Sequence, residues 1–129
     1  MNLMLGDSKT LDSFASGNQT AGYQVKRRLS QFGRQSPAST FVMIEEHPDS
    51  INDGALVTEL SNQNTIYDWP ANFSNRGFWI SFADGRVELW KFSGTHFQRA
   101  FSGTTVSTSG LSQNETNSFR RLLDVTAVK

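Results

Sequence analysis

Residues 77–92 constrain the fold of this chain most strongly. Bulky apolar and polar side chains alternate there on both sides of Asp84-Gly85, a dipeptide typical of tight β-hairpin turns. A type I′ turn requires positive φ at both central residues, and Asp-Gly reaches such angles at low steric cost. The sequence therefore predicts two antiparallel strands, 78–83 and 86–92, joined by a two-residue turn.

A two-residue turn also fixes which side chains face each other across the hairpin. One face would be apolar and would cover the core, and the reverse face would be polar near the turn and aromatic at its far end. A cross-strand Trp pair there would add about 0.5–1 kcal/mol beyond the burial of its area. The predicted pairs are Phe82–Val87 and Ile80–Leu89 on the core face, and Ser81–Glu88 and Trp79–Trp90 on the reverse face.

Two segments have the apolar spacing of short helices. In residues 23–32 the apolar side chains recur at intervals of four and three. Residues 113–124 show the same spacing, and Ser112 with Glu115 matches a capping box, in which each residue hydrogen-bonds the backbone of the other. The apolar positions are Val25, Leu29 and Phe32 in the first segment and Phe119, Leu122 and Leu123 in the second.

The remaining segments complete the predicted domain. Residues 40–44 form a nearly continuous apolar run that indicates a buried strand, and residues 55–60 indicate the next strand. A length of 129 residues is typical of one domain. We therefore expect a single α+β domain over residues 1–129, an antiparallel sheet with a central Asp-Gly hairpin and short flanking helices. Its loops would be anchored by Trp69 and Phe73 in 66–75, and by Phe97, Phe101 and Val106 in 93–110.

Composition limits the kinds of function that this chain can have. The absence of Cys excludes disulfides, thiolate zinc sites and a Cys nucleophile. Twelve basic and twelve acidic residues balance, which predicts neither a nucleic-acid nor an anionic-lipid partner. A membrane-spanning helix needs a run of about 18 apolar residues, and the sequence has no such run. We therefore expect no membrane contact by this chain itself.

The polar loop 45–54 carries the densest cluster of chemical groups. Glu46, Asp49 and Asp53 supply carboxylate oxygens of the kind that calcium prefers. The spacing differs from that of an EF-hand, because Ile51 stands between the two Asp residues. A strand-connecting loop with side chains bonded to its own backbone is the favoured interpretation, and a calcium site is the alternative.

No pattern in the sequence predicts catalysis or a cofactor. The chain has no nucleophile elbow, phosphate loop or dinucleotide fingerprint. Glu45 and Glu46 are adjacent and would point to opposite faces of a strand, which disfavours a paired acid and base. We therefore predict that the protein is not an enzyme. A hydrolase that uses His47 as its base is the competing hypothesis.

Aromatic side chains could supply an interaction surface. We expect Trp69, Trp79 and Trp90, with His47, to contribute to such a surface. The three Trp residues and Tyr67 could also stack against a sugar, although packing in the core and on the sheet is the favoured interpretation. A calcium- or carbohydrate-binding module is therefore the alternative function.

Three segments together resemble one bacterial family. Residues 40–54, 68–71 and 82–88 are similar to parts of the prepilin-type processing-associated His-nine-Asp-Gly domain of bacterial prepilin-like and type II secretion pseudopilin-like proteins. Residues 23–29 and 1–2 resemble upstream parts of the same domain, so that the resemblance covers most of the chain.

The resemblance implies both a fold and a role. In such proteins an N-terminal apolar helix anchors the subunit in the membrane and packs the filament core, while a globular α+β domain decorates the surface. It implies a non-catalytic, extracytoplasmic domain in the periplasm or at the cell surface, which acts in filament or secretion-system assembly. Its partners would be other pilin-like subunits or secretion-system components, contacted through loop 45–54 and the reverse face of the hairpin. Some pseudopilins also bind calcium in a C-terminal loop.

Two features depart from the pattern of this family. The defining His is expected ten residues before Asp84, where this chain has Ser74. Family members open with a cleavage motif and an apolar helix, and Met1 corresponds to a position already inside their globular domain. The sequence is therefore expected to represent the C-terminal globular part, as a truncated or stand-alone domain.

Overall fold

The computed structural model describes residues 36–51, 68–103 and 111–126, together with Ser30, Phe32, Leu56 and Ile66. Within these residues an antiparallel sheet has the strand order β1-β2-β3, and one α-helix, α1, follows it in the chain. This arrangement agrees with the predicted α+β class. The elements are β1 (Phe41–Ile44), β2 (Phe78–Phe82), β3 (Val87–Trp90), α1 (Gln113–Asp124) and two 3-10 helices (Pro37–Ser39 and His96–Gln98).

The hairpin between β2 and β3 forms, but the predicted two-residue turn is wrong. The Phe82 N–H donates to the Arg86 carbonyl, and the Gly85 N–H donates to the Phe82 carbonyl. The loop therefore consists of Ala83, Asp84 and Gly85. Within it only Gly85 has positive φ, at 89°. This pattern is that of a three-residue loop that ends in a left-handed glycine bulge.

The longer loop shifts the register by one residue and reverses the faces of β3. Trp90 pairs with Phe78 and lies on the core side, with its ring 6.4 Å from that of Phe78 and 6.1 Å from that of Phe82. Trp79 pairs with Leu89, so the predicted Trp79–Trp90 pair does not form. The observed pairs are Phe78–Trp90, Trp79–Leu89, Ile80–Glu88 and Ser81–Val87.

The core lies between the inner face of the sheet, the loops and α1. The inward side chains of β2 are those of Phe78, Ile80 and Phe82, and all three are buried. Phe119 and Leu122 present the predicted apolar face of α1 and are fully buried. The same cluster includes Phe41, Leu56, Ile66, Trp69, Ala71, Phe92 and Phe97.

Strand β1 is covered on one face only, contrary to the expectation that it is buried throughout. Phe41 is completely buried, whereas Met43 is 64% exposed. In a regular strand Phe41 and Met43, two residues apart, would share a face, but the register irregularity between them places them on opposite faces. An apolar run in a strand therefore does not show that both of its faces are buried.

Helix α1 occupies the predicted residues, and its capping box is present. The Ser112 Oγ accepts from the Glu115 N–H at 3.4 Å, and a Glu115 carboxylate oxygen accepts from the Ser112 N–H at 2.9 Å. The predicted helix 23–32 lies outside the described residues except for Ser30 and Phe32, as does strand 55–60 except for buried Leu56. Among the helices that the structure describes, none has the length and apolar character to cross a membrane.

Candidate functional site

Three segments meet at one end of the sheet, which we call the loop cluster: residues 45–51, 68–74 and 97–103. Because the strands are antiparallel, the end of β1, the start of β2 and the end of β3 lie at this same end. Backbone and side-chain hydrogen bonds hold the segments together. They join the His47 N–H to the Trp69 carbonyl (2.7 Å), the Ala71 N–H to the Glu45 carbonyl (2.8 Å) and the Asn72 Nδ2 to the Arg99 carbonyl (2.6 Å).

Asp49 fastens the first segment of the loop cluster to the third. Its Oδ1 accepts from the Gly103 N–H at 2.8 Å, and its Oδ2 accepts from the N–H and the hydroxyl of Ser102 at 3.0 and 2.8 Å. Burial raises the pKa of Asp49, but these hydrogen bonds, together with nearby His47, outweigh it and hold the pKa below its usual value. Protein donors thus occupy both oxygens of the carboxylate.

His47 lies beside Asp49 and is only 1% exposed. Its Nδ1 accepts from the Asp49 N–H at 3.2 Å, which assigns the proton of the neutral ring to Nε2. The ring stacks on Phe73 with centroids 5.8 Å apart. The buried Nε2 makes no hydrogen bond of normal length and angle. Burial lowers the pKa of His47 and the Arg99 guanidinium lowers it further, against the opposing effects of the Asp49 carboxylate and the Arg99 carbonyl.

Arg99 completes this polar group without giving it the geometry of a catalytic triad. The Arg99 guanidinium lies 3.6 Å from Asp49 Oδ2 and 5.8 Å from the centroid of the Trp69 ring. The Ser102 hydroxyl donates to Asp49, and His47 uses its Nδ1 to accept from backbone. Nucleophilic catalysis needs a hydroxyl bonded to its base, and these residues show no such bond. The hydrogen bonds of the group position the loops.

Glu46 and Asp49, two of the three residues expected to bind calcium, bond to protein groups. Glu46 Oε1 accepts from the Ser50 hydroxyl at 3.1 Å, and the Asp49 oxygens are bonded to Ser102 and Gly103. Asp53 lies outside the described residues. In the part of the chain that the structure describes, no three His, Cys, Asp or Glu side chains are grouped so that they could hold a metal ion.

The three Trp residues do not form one surface. Trp69 is 1% exposed and packs in the core, and Trp90 lies on the core side of the sheet. Trp79 is 45% exposed on the opposite face, and Tyr67 lies outside the described residues. Trp69 is the anchor that was predicted for its loop. Of the expected interaction surface, Trp79 is therefore the exposed member, because His47 is also buried.

Other apolar side chains, which were not expected at the surface, are exposed instead. Phe73 and Phe101, which were predicted to be anchors, are 59% and 66% exposed, and Ile51 is 58% exposed. All three belong to the loop cluster. Phe97 is buried as predicted, and Val106 lies outside the described residues. Nothing in the local sequence separates Phe97 from Phe101, since their burial depends on contacts with distant segments.

A second apolar area lies on the sheet, and we call it the outer sheet face. It consists of the side chains that point away from the core. Met43 and Val87 are 64% and 57% exposed, and Trp79 lies beside them on the central strand. Ser81 stands between Met43 and Val87, and its hydroxyl accepts from the Met43 N–H at 3.2 Å. The members are Met43, Trp79, Ser81, Val87 and half-buried Leu89.

A second buried polar centre lies where α1 begins. Glu115 is 2% exposed and accepts four hydrogen bonds at 2.8–2.9 Å, from the N–H and hydroxyl of Ser112 and from the N–H and Nδ1 of His96. Burial raises the pKa of Glu115, but these hydrogen bonds outweigh it and lower the pKa to about 2. Gly94 has φ of 122°, and a Cβ added there would overlap the Glu115 side chain. Glu115 thus ties the start of the helix to the segment after β3.

Comparison with protein-family models, with curated proteins and with solved structures finds no match to this chain. A function therefore has to be argued from the residues themselves. The two exposed apolar areas, the loop cluster and the outer sheet face, are the features of the described residues that call for an explanation.

Proposed function

We propose that this chain is the non-catalytic, extracytoplasmic globular domain of a pilin-like or pseudopilin-like subunit. It acts in the assembly of a filament or secretion system through contacts with other pilin-like subunits or secretion-system components. The outer sheet face carries this proposal, because Met43, Trp79 and Val87 lie together and exposed on three paired strands. Contiguous exposed apolar side chains are typical of protein–protein contacts.

The three segments that carry the family resemblance support the proposal because they contact one another. Residues 40–54 and 82–88 are joined by the pairing of β1 with β2 and by a hydrogen bond of 2.9 Å from the Ala83 N–H to the Thr40 carbonyl. Residues 68–71 are joined to the first segment by the backbone bonds of the loop cluster. Segments far apart in sequence thus form one continuous unit.

Ser74, which replaces the family's defining His, has a local structural role in this chain. Its hydroxyl donates to a Glu45 carboxylate oxygen at 3.3 Å, and the same oxygen accepts from the Trp79 N–H at 2.9 Å. Position 74 therefore helps to hold the end of β1 against the start of β2. With Ser in place of His, this position still contacts a segment that resembles the family.

The first test reads the DNA upstream of the Met1 codon in the source genome. The proposal expects an in-frame extension that encodes a prepilin cleavage motif and about 20 apolar residues. A stop codon in frame, with Met1 as the true start, would contradict the filament role.

The second test is site-specific photo-crosslinking in the source cells. A photoreactive amino acid at position 79 or 43 should crosslink to a protein that mass spectrometry identifies as having a pilin-like apolar N-terminal helix. The matched control is position 113, which is exposed on α1 and is not a member of the outer sheet face. Equal crosslinking from position 113, or none from positions 79 and 43, would contradict the proposed contact.

A further inference from the structure

One carboxylate fastens residues 101–103 to the rest of the loop cluster. Asp49 accepts three hydrogen bonds of 2.8–3.0 Å from Ser102 and Gly103. Phe101 is 66% exposed, so its side chain adds little apolar burial that could hold the segment in place. The hydrogen bonds that the Asp49 carboxylate accepts therefore contribute to the position of the segment.

His47 can become a further donor to the same carboxylate, and it competes with Ser102 and Gly103 if the carboxylate moves toward the ring. Its Nδ1 lies 3.9 Å from Asp49 Oδ2 and at present accepts from the Asp49 N–H at 3.2 Å. A proton on Nδ1 would end that hydrogen bond, because two donors would then face each other. A movement of about 1 Å would bring the protonated Nδ1 within charge-assisted hydrogen-bond distance of Oδ2.

We propose that His47 is a proton-operated latch on the loop cluster. With the ring neutral, Asp49 holds Ser102 and Gly103. With the ring protonated, the Nδ1–H takes the Asp49 carboxylate, and residues 101–103 are released. Because exposed Phe101 belongs to this segment, the apolar surface of the loop cluster changes when the proton binds.

The surroundings of the ring determine the pH at which the latch opens. Burial and the Arg99 guanidinium oppose the protonated ring, while the Asp49 carboxylate favours it. The second segment of the loop cluster contributes the uncharged ring of Phe73. Burial and the Arg99 guanidinium outweigh the Asp49 carboxylate, so the pKa of His47 is lowered from its ordinary value of 6.5. The latch therefore opens on the acid side of neutrality.

The test follows the His47 ring and the backbone amides by NMR in the same samples as the pH is lowered. The amides of Ser102 and Gly103 should lose about tenfold or more of their protection from hydrogen exchange, corrected for the intrinsic rate, as the ring titrates. The amides of Phe82 and Ala83, which are bonded within the sheet and to Thr40, should keep their protection. Their retention separates local release from global unfolding.

Two variants sharpen the test. In His47→Gln the side-chain oxygen can still accept from the Asp49 N–H but cannot titrate, so Ser102 and Gly103 should stay protected at every pH above the range in which carboxylates protonate. His96→Gln removes the other histidine and should leave the response intact. The latch is overturned if wild-type Ser102 and Gly103 stay protected while His47 titrates, or if all amides lose protection together. The wild-type comparison alone decides the matter should His47→Gln fail to fold.

Discussion

Glu115 shows how a single buried charge can organise a small domain. A buried carboxylate is costly unless hydrogen bonds satisfy it, and Glu115 accepts four. In Glu115→Gln the amide nitrogen replaces one acceptor oxygen and would face donors of Ser112 or His96. We expect this change to lower the free energy of unfolding by about 1.5–3 kcal/mol, measured by urea denaturation near pH 7.

The matched control for Glu115→Gln is Asp84→Asn at the tip of the hairpin. Asp84 is exposed, and its Oδ1 accepts from the Arg86 N–H, a hydrogen bond that an Asn oxygen can also make. We expect Asp84→Asn to change the stability by less than about 0.5 kcal/mol. An equal effect of the two variants would contradict the role assigned to Glu115.

A substitution of Asp49 distinguishes a structural loop from a calcium site. Its oxygens already accept from Ser102 and Gly103, so calcium would have to displace these donors. We expect Asp49→Asn to lower the melting temperature by the same amount in millimolar calcium and in chelator. Wild-type protein should melt at the same temperature in both conditions. Stabilisation of the wild type by calcium, lost in Asp49→Asn, would instead support a metal site.

At the scale of elements, the hairpin loop depends on the backbone conformation of one glycine. Gly85 has φ of 89° and no neighbouring atoms that an added Cβ would contact, so conformation alone sets the cost of substitution. We expect Gly85→Val to reduce the free energy of unfolding by about 1–2 kcal/mol or more, because β-branched residues resist positive φ. Gly85→Asn is the matched control and should cost less, since Asn tolerates this region. Thermal melts that coincide for the two variants would contradict this explanation.

Elements specified by neighbouring residues were predictable, and those specified by geometry over longer distances were not. Helix α1 lies where the capping box and apolar spacing placed it, because both signals act within a few residues. The hairpin was also predicted, but the dipeptide at its tip fits both a two-residue and a three-residue loop. Sequence alone did not distinguish the two loops, and that difference of one residue exchanged the faces of β3.

A turn with positive φ at both central residues, as in type I′ geometry, occurs at Asn75 and Arg76, with φ of 52° and 62°. Ser74 and Gly77 close it with reciprocal backbone hydrogen bonds of 3.1 and 3.0 Å. Arg is not a residue type that signals positive φ, and the sequence indicated no such turn here. Gly77 is required for a different reason, since a Cβ there would overlap the Trp90 carbonyl.

At the scale of the whole molecule, the polar residues that were candidates for catalysis or metal binding serve to connect segments. The sequence drew attention to loop 45–54, and the structure places its His47 and Asp49 in the group that joins the loop cluster. Their partners Arg99 and Ser102 lie about fifty residues later in the sequence, and no local sequence pattern predicts such contacts. The sequence therefore predicted which loop contributes to the candidate site but not which distant residues complete it.

These connections predict how the whole domain responds to acid. The folded-state pKa of His47 is lowered from 6.5, so the unfolded chain binds more protons just below that pH and stability falls as the pH falls. Glu115 has its folded-state pKa lowered from 4.5 to about 2, so its contribution is complete above 4.5 and is lost as the pH falls toward 2. Asp49 acts in the same direction below its ordinary 3.8.

We therefore expect the free energy of unfolding, measured by urea denaturation at a series of pH values, to decline in two separate ranges. His47→Gln should remove the decline that begins near pH 6.5, and Glu115→Gln should reduce the decline below pH 4.5. Glu115→Gln should leave the upper range unchanged, because the two centres share no hydrogen-bond partner among the described residues and such distinct sites contribute additively. His47→Gln should affect the lower range only through Asp49, whose pKa the neighbouring His47 helps to lower. A wild-type stability that is constant from about pH 7.5 to 5 would contradict the buried neutral His47. A loss of both ranges in either variant would show that the two centres are energetically coupled and do not contribute independently.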